Sequence, residues 1–235
     1  MTVRASLIAA LLAAAVVAPA ALAADARHPA VVELYQSQGC SSCPPAIANI
    51  NAIASRPDVL ALTFAVTYWD RLGWKDVFAS KQFTDRQWDY ARSLKHSQVW
   101  TPQVIINGRA DIVGAERGAL EALIAKADRG SGGPVVAIVG GSVSVSGEAA
   151  KAADVWVVRY DPRMIQVAIK AGENGGKTIG HRNVVRQLVR VGRWQGGTAR
   201  FALPAASVPG LATAAFVQIG SGGPIVAAAR GDARS

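Results

Sequence analysis

Short apolar runs alternate with amphipathic stretches through the first half of the chain. Residues 31–35 and 59–67 are mostly apolar, a pattern typical of strands that are covered on both faces of a parallel sheet. The stretch 44–55 has isoleucines at helical spacing, and the prolines at its start are tolerated in a first helical turn. The pattern therefore predicts a strand, a helix and a second strand in succession.

A second helix and a hairpin follow. Thr84 and Gln87 have the spacing of a capping box, which predicts a helix over 84–95. Further along, an Asn-Gly pair between two short apolar runs is a strong hairpin signal, and the apolar stripe after it predicts a last helix. These later elements are 103–106, the turn at 107–108, 110–113 and 115–127. Together the elements indicate an α/β domain over 28–129.

A glycine-rich linker at 130–134 separates this region from a second half of different texture. Short β-branched runs lie beyond it, separated by glycine, proline and aspartate, and they predict a mostly antiparallel, sandwich-like β domain over 135–229. The run 184–191 also fits a helix. The runs are 135–139, 143–146, 155–160, 165–170, 184–191, 198–203, 214–219 and 225–229.

The N-terminus has the layout of an export signal. A basic start at residues 1–4 precedes the uncharged apolar run 7–17, and Ala-Leu-Ala at 21–23 forms a small-x-small cleavage sequence. We predict a signal peptide over 1–23 and a periplasmic or secreted protein. An uncleaved anchor is the alternative, and the shortness of the apolar run argues against it. No internal run is long enough to span a bilayer, so we expect no stable membrane span after cleavage.

The charge balance is basic. The chain has 25 Lys and Arg against 16 Asp and Glu, a formal net charge of +9, and the predicted signal contributes only Arg4 to it. Such a charge favours solubility and weak attraction to anionic envelope surfaces. A nucleic-acid partner would require clustered basic residues with exposed aromatics and is rarely met by an exported protein, so we expect none.

Two cysteines, Cys40 and Cys43, are the clearest chemical feature. A disulfide of this span closes almost no loop and constrains the unfolded chain little, so the pair requires a chemical reason. Both residues fall between the first strand and the first helix, where the helix dipole and backbone N–H groups favour a thiolate. We predict that Cys40 is the exposed nucleophile of a thiol–disulfide exchange site and that Cys43 resolves the mixed disulfide. The hydroxyls of Ser41 and Ser42 are expected to donate to sulfur.

Two other uses of the cysteine pair remain open. A structural zinc site usually needs four ligands, and the chain adds only His28, His96 and His181 at scattered positions. A Cu(I) site of two thiolates and one histidine is possible, because soft thiolates suit that ion. An inert, packed pair is the third interpretation. We assign no metal ligands, and the exchange chemistry needs no dissociable cofactor.

The segment WTPQVIING at 100–108, followed by VGA at 113–115, closely resembles the thioredoxin superfamily. The resemblance implies that Pro102 is a cis proline facing the cysteine pair. It also implies that the backbone of Thr101 lies beside the sulfurs, where it positions a substrate chain and keeps metal out. An ordinary proline at the start of a strand is the alternative.

The chain departs from ordinary thioredoxins at several positions. Ser-Ser replaces Gly-Pro between the cysteines, and Gly39 stands where thioredoxins carry a tryptophan. Leu34 occupies the position of their buried acid, and the adjacent Glu33 is expected to face the opposite side of the strand. These changes leave the direction of exchange open and keep the dithiol chemistry.

A narrower resemblance covers most of the mature chain. The segments VVELYQSQGCSSCPPA at 31–46, YWDRLGWKD at 68–76 and GGKT at 175–178, with His181 and Asn183, resemble a bacterial secreted family named domain of unknown function 1223. This family has a thioredoxin-like fold, so the resemblance implies a mixed sheet with flanking helices in the first domain.

Residues 68–70 are candidates for a supporting role. Because the carboxyl ends of parallel strands share one edge of a sheet, Tyr68, Trp69 and Asp70 should lie near the sulfurs. Asp70 would then assist proton transfer from Cys43, and Trp69 would form a wall of the site. In the alternative interpretation, which we prefer, the tryptophan packs the loop and Asp70 caps it or pairs with Arg71.

The second half offers its own polar residues. The glycine-rich segment 172–177 lacks the strand–helix context of a phosphate loop and is predicted to be a hairpin loop. His181 and Asn183 either reach the cysteine site or bond within their own domain, and we prefer the second interpretation.

The sequence as a whole predicts an exported thiol–disulfide oxidoreductase that acts on protein or small-molecule thiols and disulfides. One alternative is a copper or other soft-metal carrier. Another is a redox-sensing envelope protein without turnover, in which the disulfide switches the contact between the two halves.

Overall fold

The structure, a computed structural model, describes residues 23–231. The predicted signal segment 1–23 lies outside this range except for Ala23. Helices and strands are as follows: β1 Ala30–Gln36, α1 Pro44–Ile53, β2 Val59–Ala65, α2 Lys81–Ser93, β3 Gln103–Ile106, β4 Ala110–Ile112, α3 Arg117–Lys126, β5 Val135–Val139, β6 Ser142–Ser146, β7 Ala153–Asp161, β8 Ile165–Ala168, β9 Thr178–His181, β10 Val184–Trp194, β11 Ala199–Ala202, β12 Ala212–Gln218 and β13 Ile225–Arg230.

An eight-stranded mixed sheet runs through both halves of the chain, in the order β13-β12-β7-β10-β2-β1-β3-β4. β1 pairs with β2 in parallel and with β3 in antiparallel orientation. β10 lies beside β2 in parallel and pairs with β7 in antiparallel orientation. Over residues 23–231, the result is a mixed α/β architecture with three α-helices and extra antiparallel sheets.

The sequence predicted a separate, sandwich-like β domain over 135–229, and this topology corrects that prediction. Four strands of the second half, β7, β10, β12 and β13, extend the sheet of the first half instead of forming one of their own. A smaller sheet, β11-β6-β5, packs against β7, β12 and β13 of the large sheet through Val136, Ile138, Val143 and Val145. The arrangement is sandwich-like at that end, but one of its two layers is the shared sheet.

Burial on both faces explains the apolar runs of β1 and β2, in which every residue is buried. Val32 and Leu34 face a cluster formed with α1 and α3, whereas Val31 and Tyr35 face a cluster formed with α2. Fully burying such a side chain contributes roughly 1.5–3 kcal/mol. None of the helices within 23–231 is long and apolar enough to cross a bilayer.

Two predicted elements differ in the structure. α2 begins at Lys81, because the side chain of Ser80 accepts a hydrogen bond from Gln82 N at 3.3 Å. The predicted cap, Thr84, lies inside the helix, and its Oγ1 accepts instead from Thr67 N at 3.0 Å. The stretch 184–191 is part of a strand, and β9 was not predicted.

Asn183 links the second half of the chain to the first through hydrogen bonds. It has a φ of 50° at the turn before β10, a conformation that asparagine tolerates better than most residues. Its side-chain Nδ2 donates to Ala61 O at 2.8 Å and to Ala54 O at 3.3 Å. Its backbone carbonyl accepts from Thr63 N at 2.9 Å. The preferred prediction that Asn183 bonds within its own half is therefore wrong.

Candidate functional site

The cysteine pair lies where β1 passes into α1. Cys43 is the N-cap residue of the helix, and its N–H donates to the carbonyl of Cys40 at 3.1 Å. This turn brings the two Cα atoms to 5.4 Å, and the two sulfurs form a disulfide. The strand, turn and helix predicted from the sequence therefore place a Cys-x-x-Cys disulfide at a helix start.

The first turn of α1 offers few donors to a thiolate. Pro44 and Pro45 occupy its first positions and have no backbone N–H. The Oγ of Ser42, however, lies 3.3 Å from the Cys40 sulfur. Stabilisation of a thiolate therefore rests on the helix dipole and this hydroxyl more than on the backbone N–H groups expected from the sequence.

Ser42 also links the sulfur to the predicted substrate-positioning segment. Its Oγ lies 3.5 Å from the carbonyl oxygen of Thr101. The Thr101–Pro102 peptide bond is cis, as the resemblance implied. The structure thus brings Cys40, Ser42 and Thr101 together, although they are far apart in sequence.

Both cysteines are buried, with 0% of their surface exposed. They belong to the apolar cluster of α1 and α3, which also contains Ile169 and Ile179 from the second half. The expectation that Cys40 is exposed is therefore wrong for this state. The reason is packing against residues that are distant in sequence, which the local sequence pattern does not encode.

The cysteine segment is also hydrogen-bonded to residues 171–177, the connection between β8 and β9, which we call the cover loop. The buried Asn174 donates from Nδ2 to the carbonyls of Gln38 at 2.9 Å and of Cys40 at 2.8 Å. Glu173 Oε2 accepts from the N–H of Ser41 at 3.0 Å and from its hydroxyl at 2.6 Å. The Ser41 hydroxyl thus faces Glu173 and not sulfur, and the predicted hairpin loop is hydrogen-bonded to the segment that carries the disulfide.

Residues 68–70 separate into different roles. Trp69 is partly buried against the cluster that contains the cysteines. Tyr68 donates its hydroxyl to Gln87 Oε1 at 3.2 Å, and burial raises its pKa to about 12. Asp70 Oδ1 accepts from Asp76 N at 3.1 Å, which closes the loop between them. The structure thus gives Asp70 a capping contact, as the preferred interpretation expected.

Asp76 is a buried acid that sequence reasoning missed. It is 2% exposed, and its carboxylate accepts from Gln38 N at 2.8 Å and from Phe78 N at 2.9 Å. Burial raises its pKa to about 6, although the two N–H donors oppose this shift. Trp74 Nε1 donates to Gln38 Oε1 at 2.9 Å. Asp76 and Trp74 therefore both bond to Gln38, two residues before Cys40. Both lie in the 68–76 segment noted above, but nothing local distinguishes Asp76 from Asp70.

The three histidines lie in other surroundings. His28 contacts Asp25 and His96 contacts Asp111, each at 3.0 Å. His181 is buried with its ring edge toward Phe78, and burial lowers its pKa to about 4. Across residues 23–231, no three His, Cys, Asp or Glu side chains form a group that could hold a metal ion.

Glu33 points away from the cysteines, as its position in the strand predicted. Its carboxylate pairs with Arg86 of α2 on the opposite face of the sheet, at 2.9 Å between Oε1 and Nε. It therefore does not replace the buried acid of thioredoxins.

Comparisons with known proteins place the chain in a family. The family model described as protein of unknown function (DUF1223) matches residues 31–218. The crystal structure of a protein from Agrobacterium tumefaciens is similar, with 33% sequence identity, a TM-score of 0.69, and coverage of 86% of this chain and 92% of that one. No curated protein matches the chain. The length of the family match shows that this chain belongs to the DUF1223 family.

Proposed function

We propose that this protein is an exported thiol–disulfide oxidoreductase with a thioredoxin-like first domain. The observation that carries the proposal is the disulfide between Cys40 and Cys43 at the start of α1, with the cis Thr101–Pro102 segment adjacent. A disulfide of this span adds little to stability through chain entropy, which favours a chemical role. The layout of residues 1–23 supports export to a compartment where disulfides persist.

The exchange passes two electrons through the pair. A substrate thiolate attacks Cys40 Sγ, a mixed disulfide forms, and the bond to Cys43 breaks to leave the Cys43 thiolate. The second substrate thiolate then attacks the substrate sulfur of the mixed disulfide, which releases the Cys40 thiolate and an oxidised substrate. In the opposite direction, the Cys40 thiolate attacks a substrate disulfide and Cys43 resolves the product. The substrates are protein or small-molecule thiols and disulfides, and no dissociable cofactor takes part.

Thr101 and Ser42 support the substrate in this proposal. The carbonyl of Thr101 is an acceptor beside the sulfurs and suits a substrate chain bound in extended form. The hydroxyl of Ser42 donates to the Cys40 thiolate that develops in the second step, a charge-assisted hydrogen bond that strengthens as the bond between Cys40 and the substrate sulfur breaks.

Trapping tests the proposal. A Cys43→Ala variant keeps the nucleophile and loses the resolving thiol, so we expect it to hold partners as mixed disulfides through Cys40. These adducts should be released by reductant and absent from the matched Cys40→Ala variant. The proposed function would be contradicted if neither variant forms adducts and if Cys40 is alkylated no faster than a free cysteine.

A redox sensor without turnover is the second candidate. The contact that favours it is the hydrogen bond from Asn174 to the carbonyl of Cys40, which ties the second half to the redox segment. Such a sensor would change its structure on reduction but would not oxidise a dithiol peptide in repeated cycles. Multiple turnovers with an excess of the peptide and a glutathione disulfide buffer would exclude this candidate.

A further inference from the structure

The closed structure does not admit a substrate to the disulfide. An attacking thiolate must approach a sulfur to roughly 3–3.5 Å before a new S–S bond forms. Both cysteines are 0% exposed, and the cover loop bonds the segment that carries them. Exchange therefore requires a movement that uncovers Cys40.

The cover loop is the segment best suited to move. Its residues are exposed to solvent, with Asn174 as the exception. It reaches the cysteine segment through the side chains of Glu173 and Asn174, and the Glu173 contacts lie in solvent. Exposed hydrogen bonds with few apolar contacts behind them belong to the least stable parts of a protein.

The two ends of the loop are anchored. Ile169 and Ile179 are buried in the same cluster as the cysteines, so the flanking strands stay in place when the loop moves. Gly172 and Gly176 have φ values of 74° and 82°, a region in which glycine costs no strain and can change conformation readily. The loop thus has fixed ends, flexible backbone positions and, apart from the buried Asn174, contacts that are exposed to solvent.

We propose that the cover loop is a gate over the Cys40–Cys43 disulfide and that the Glu173–Ser41 contact is its latch. This inference rests on the proposed function, because it describes how substrates reach that site. In the closed state the disulfide is protected from reductants. Ser41 and Ser42 are exposed already, so opening of the latch adds Cys40 to the surface that they form with the Thr101 carbonyl, on which a substrate chain docks.

The rate of disulfide reduction tests the gate. The oxidised protein is mixed with dithiothreitol, quenched with a maleimide, and counted by mass spectrometry. Removal of both Glu173 hydrogen bonds in Glu173→Ala should raise the second-order rate constant by about tenfold. Ser41→Ala, which removes one of the two donors, should raise it by about threefold. The control Glu148→Ala changes an exposed acid far along the chain and should leave the rate as in the wild type.

Asn174→Ala provides a second test through the buried anchor. We expect faster reduction than in Glu173→Ala, and circular dichroism establishes that the variant is folded. Wild-type rates in both Glu173→Ala and a folded Asn174→Ala would overturn the gate.

Trapping in the Glu173→Ala background separates the gate from the proposed function. Faster reduction without trapped partners would support the gate and overturn the oxidoreductase function. In the opposite outcome, Cys43→Ala traps partners at the same rate with and without Glu173→Ala, while Glu173→Ala leaves the rate of disulfide reduction unchanged. That result would support the function and overturn the gate.

Discussion

The two halves of the protein contact each other on both faces of the large sheet, and the two sets of contacts differ in kind. On the face of α1, the second half reaches the cysteine segment through an exposed loop and the amide of Asn174. On the face of α2, the two halves meet in a buried charge network around Arg86 and Glu33, which are 5% and 0% exposed. The first contact is made by two side chains of one loop, whereas the second links α2 to strands of both halves.

The buried network is fully connected around Arg86. The guanidinium pairs with Glu33 and donates from Nη1 to Gln218 Oε1 at 3.0 Å, and Gln218 belongs to β12 of the second half. Tyr90 donates its hydroxyl to Glu33 and accepts from Arg86 Nη2 at 2.9 Å. Burial raises the pKa of Tyr90 well above its usual value; the charge of Arg86 opposes this shift and that of Glu33 adds to it, so the hydroxyl stays protonated as the donor.

The contrast shows how the second half can be held in place by contacts that are remote from the cysteine pair. The continuous sheet and the buried network fix the position of the second half. In the proposed gate, the cover loop moves at its tip while the strand pairing that joins the two halves stays unchanged. Its contact with the cysteine segment is a local one, made by the side chains of Glu173 and Asn174.

The largest effect is expected where the buried network is broken. Arg86→Met leaves the Glu33 carboxylate buried without its ion pair and should lower the free energy of unfolding by about 3–5 kcal/mol, measured by urea denaturation. Lys81→Met is the control, because the Lys81–Asp85 pair is exposed and should change stability by less than about 1 kcal/mol.

A second substitution sharpens that comparison. If the cost comes from the unpaired charge, the double variant Glu33→Leu, Arg86→Met should lose less stability than the sum of the single variants. A cost below about 1 kcal/mol for Arg86→Met would contradict the role of this network.

A smaller effect, limited to a range of pH, is expected on the disulfide face. The pKa of Asp76 is about 6 in the folded protein, above its ordinary 3.8, so ionisation disfavours the folded state. The protonated Asp76 carboxyl is therefore better tolerated in the folded protein than the ionised one. Its contribution to the unfolding free energy is complete below about pH 3.8 and is lost as the pH rises through about 6. The difference in unfolding free energy between wild type and Asp76→Asn should therefore change by up to about 3 kcal/mol between pH 4 and 7, with the wild type favoured at the lower pH.

Chemical denaturation at several pH values measures this difference. Subtracting the variant from the wild type removes the contributions of other titrating groups, provided that they do not interact with Asp76. Parallel pH profiles for the two proteins would show that burial of this carboxyl does not affect folding.

The local features of the site were predictable because they lie close together in sequence. The Cys-x-x-Cys spacing, the strand before it and the Asn107-Gly108 hairpin are encoded by neighbouring residues, and the cis proline followed from the family resemblance. The apolar runs also located most strands, because the period of side-chain exposure is a local property.

The covering of the site could not be predicted in this way. Glu173 and Asn174 contact residues more than 130 positions earlier, at separations of 132 for Ser41 and 134 for Cys40. Their own surroundings show only a glycine-rich loop. The continuity of the sheet likewise depends on one pairing between Val184 and Thr63, which no period in the second half indicates.

The redox potential of the Cys40–Cys43 pair tests the central claim most directly. The protein is equilibrated in glutathione and dithiothreitol buffers, quenched with a maleimide, and its free thiols are counted by mass spectrometry. An exchange-active pair should have a midpoint between about −120 and −270 mV, the range of thiol–disulfide catalysts. A midpoint below about −300 mV, the range typical of structural disulfides, would contradict the proposed function.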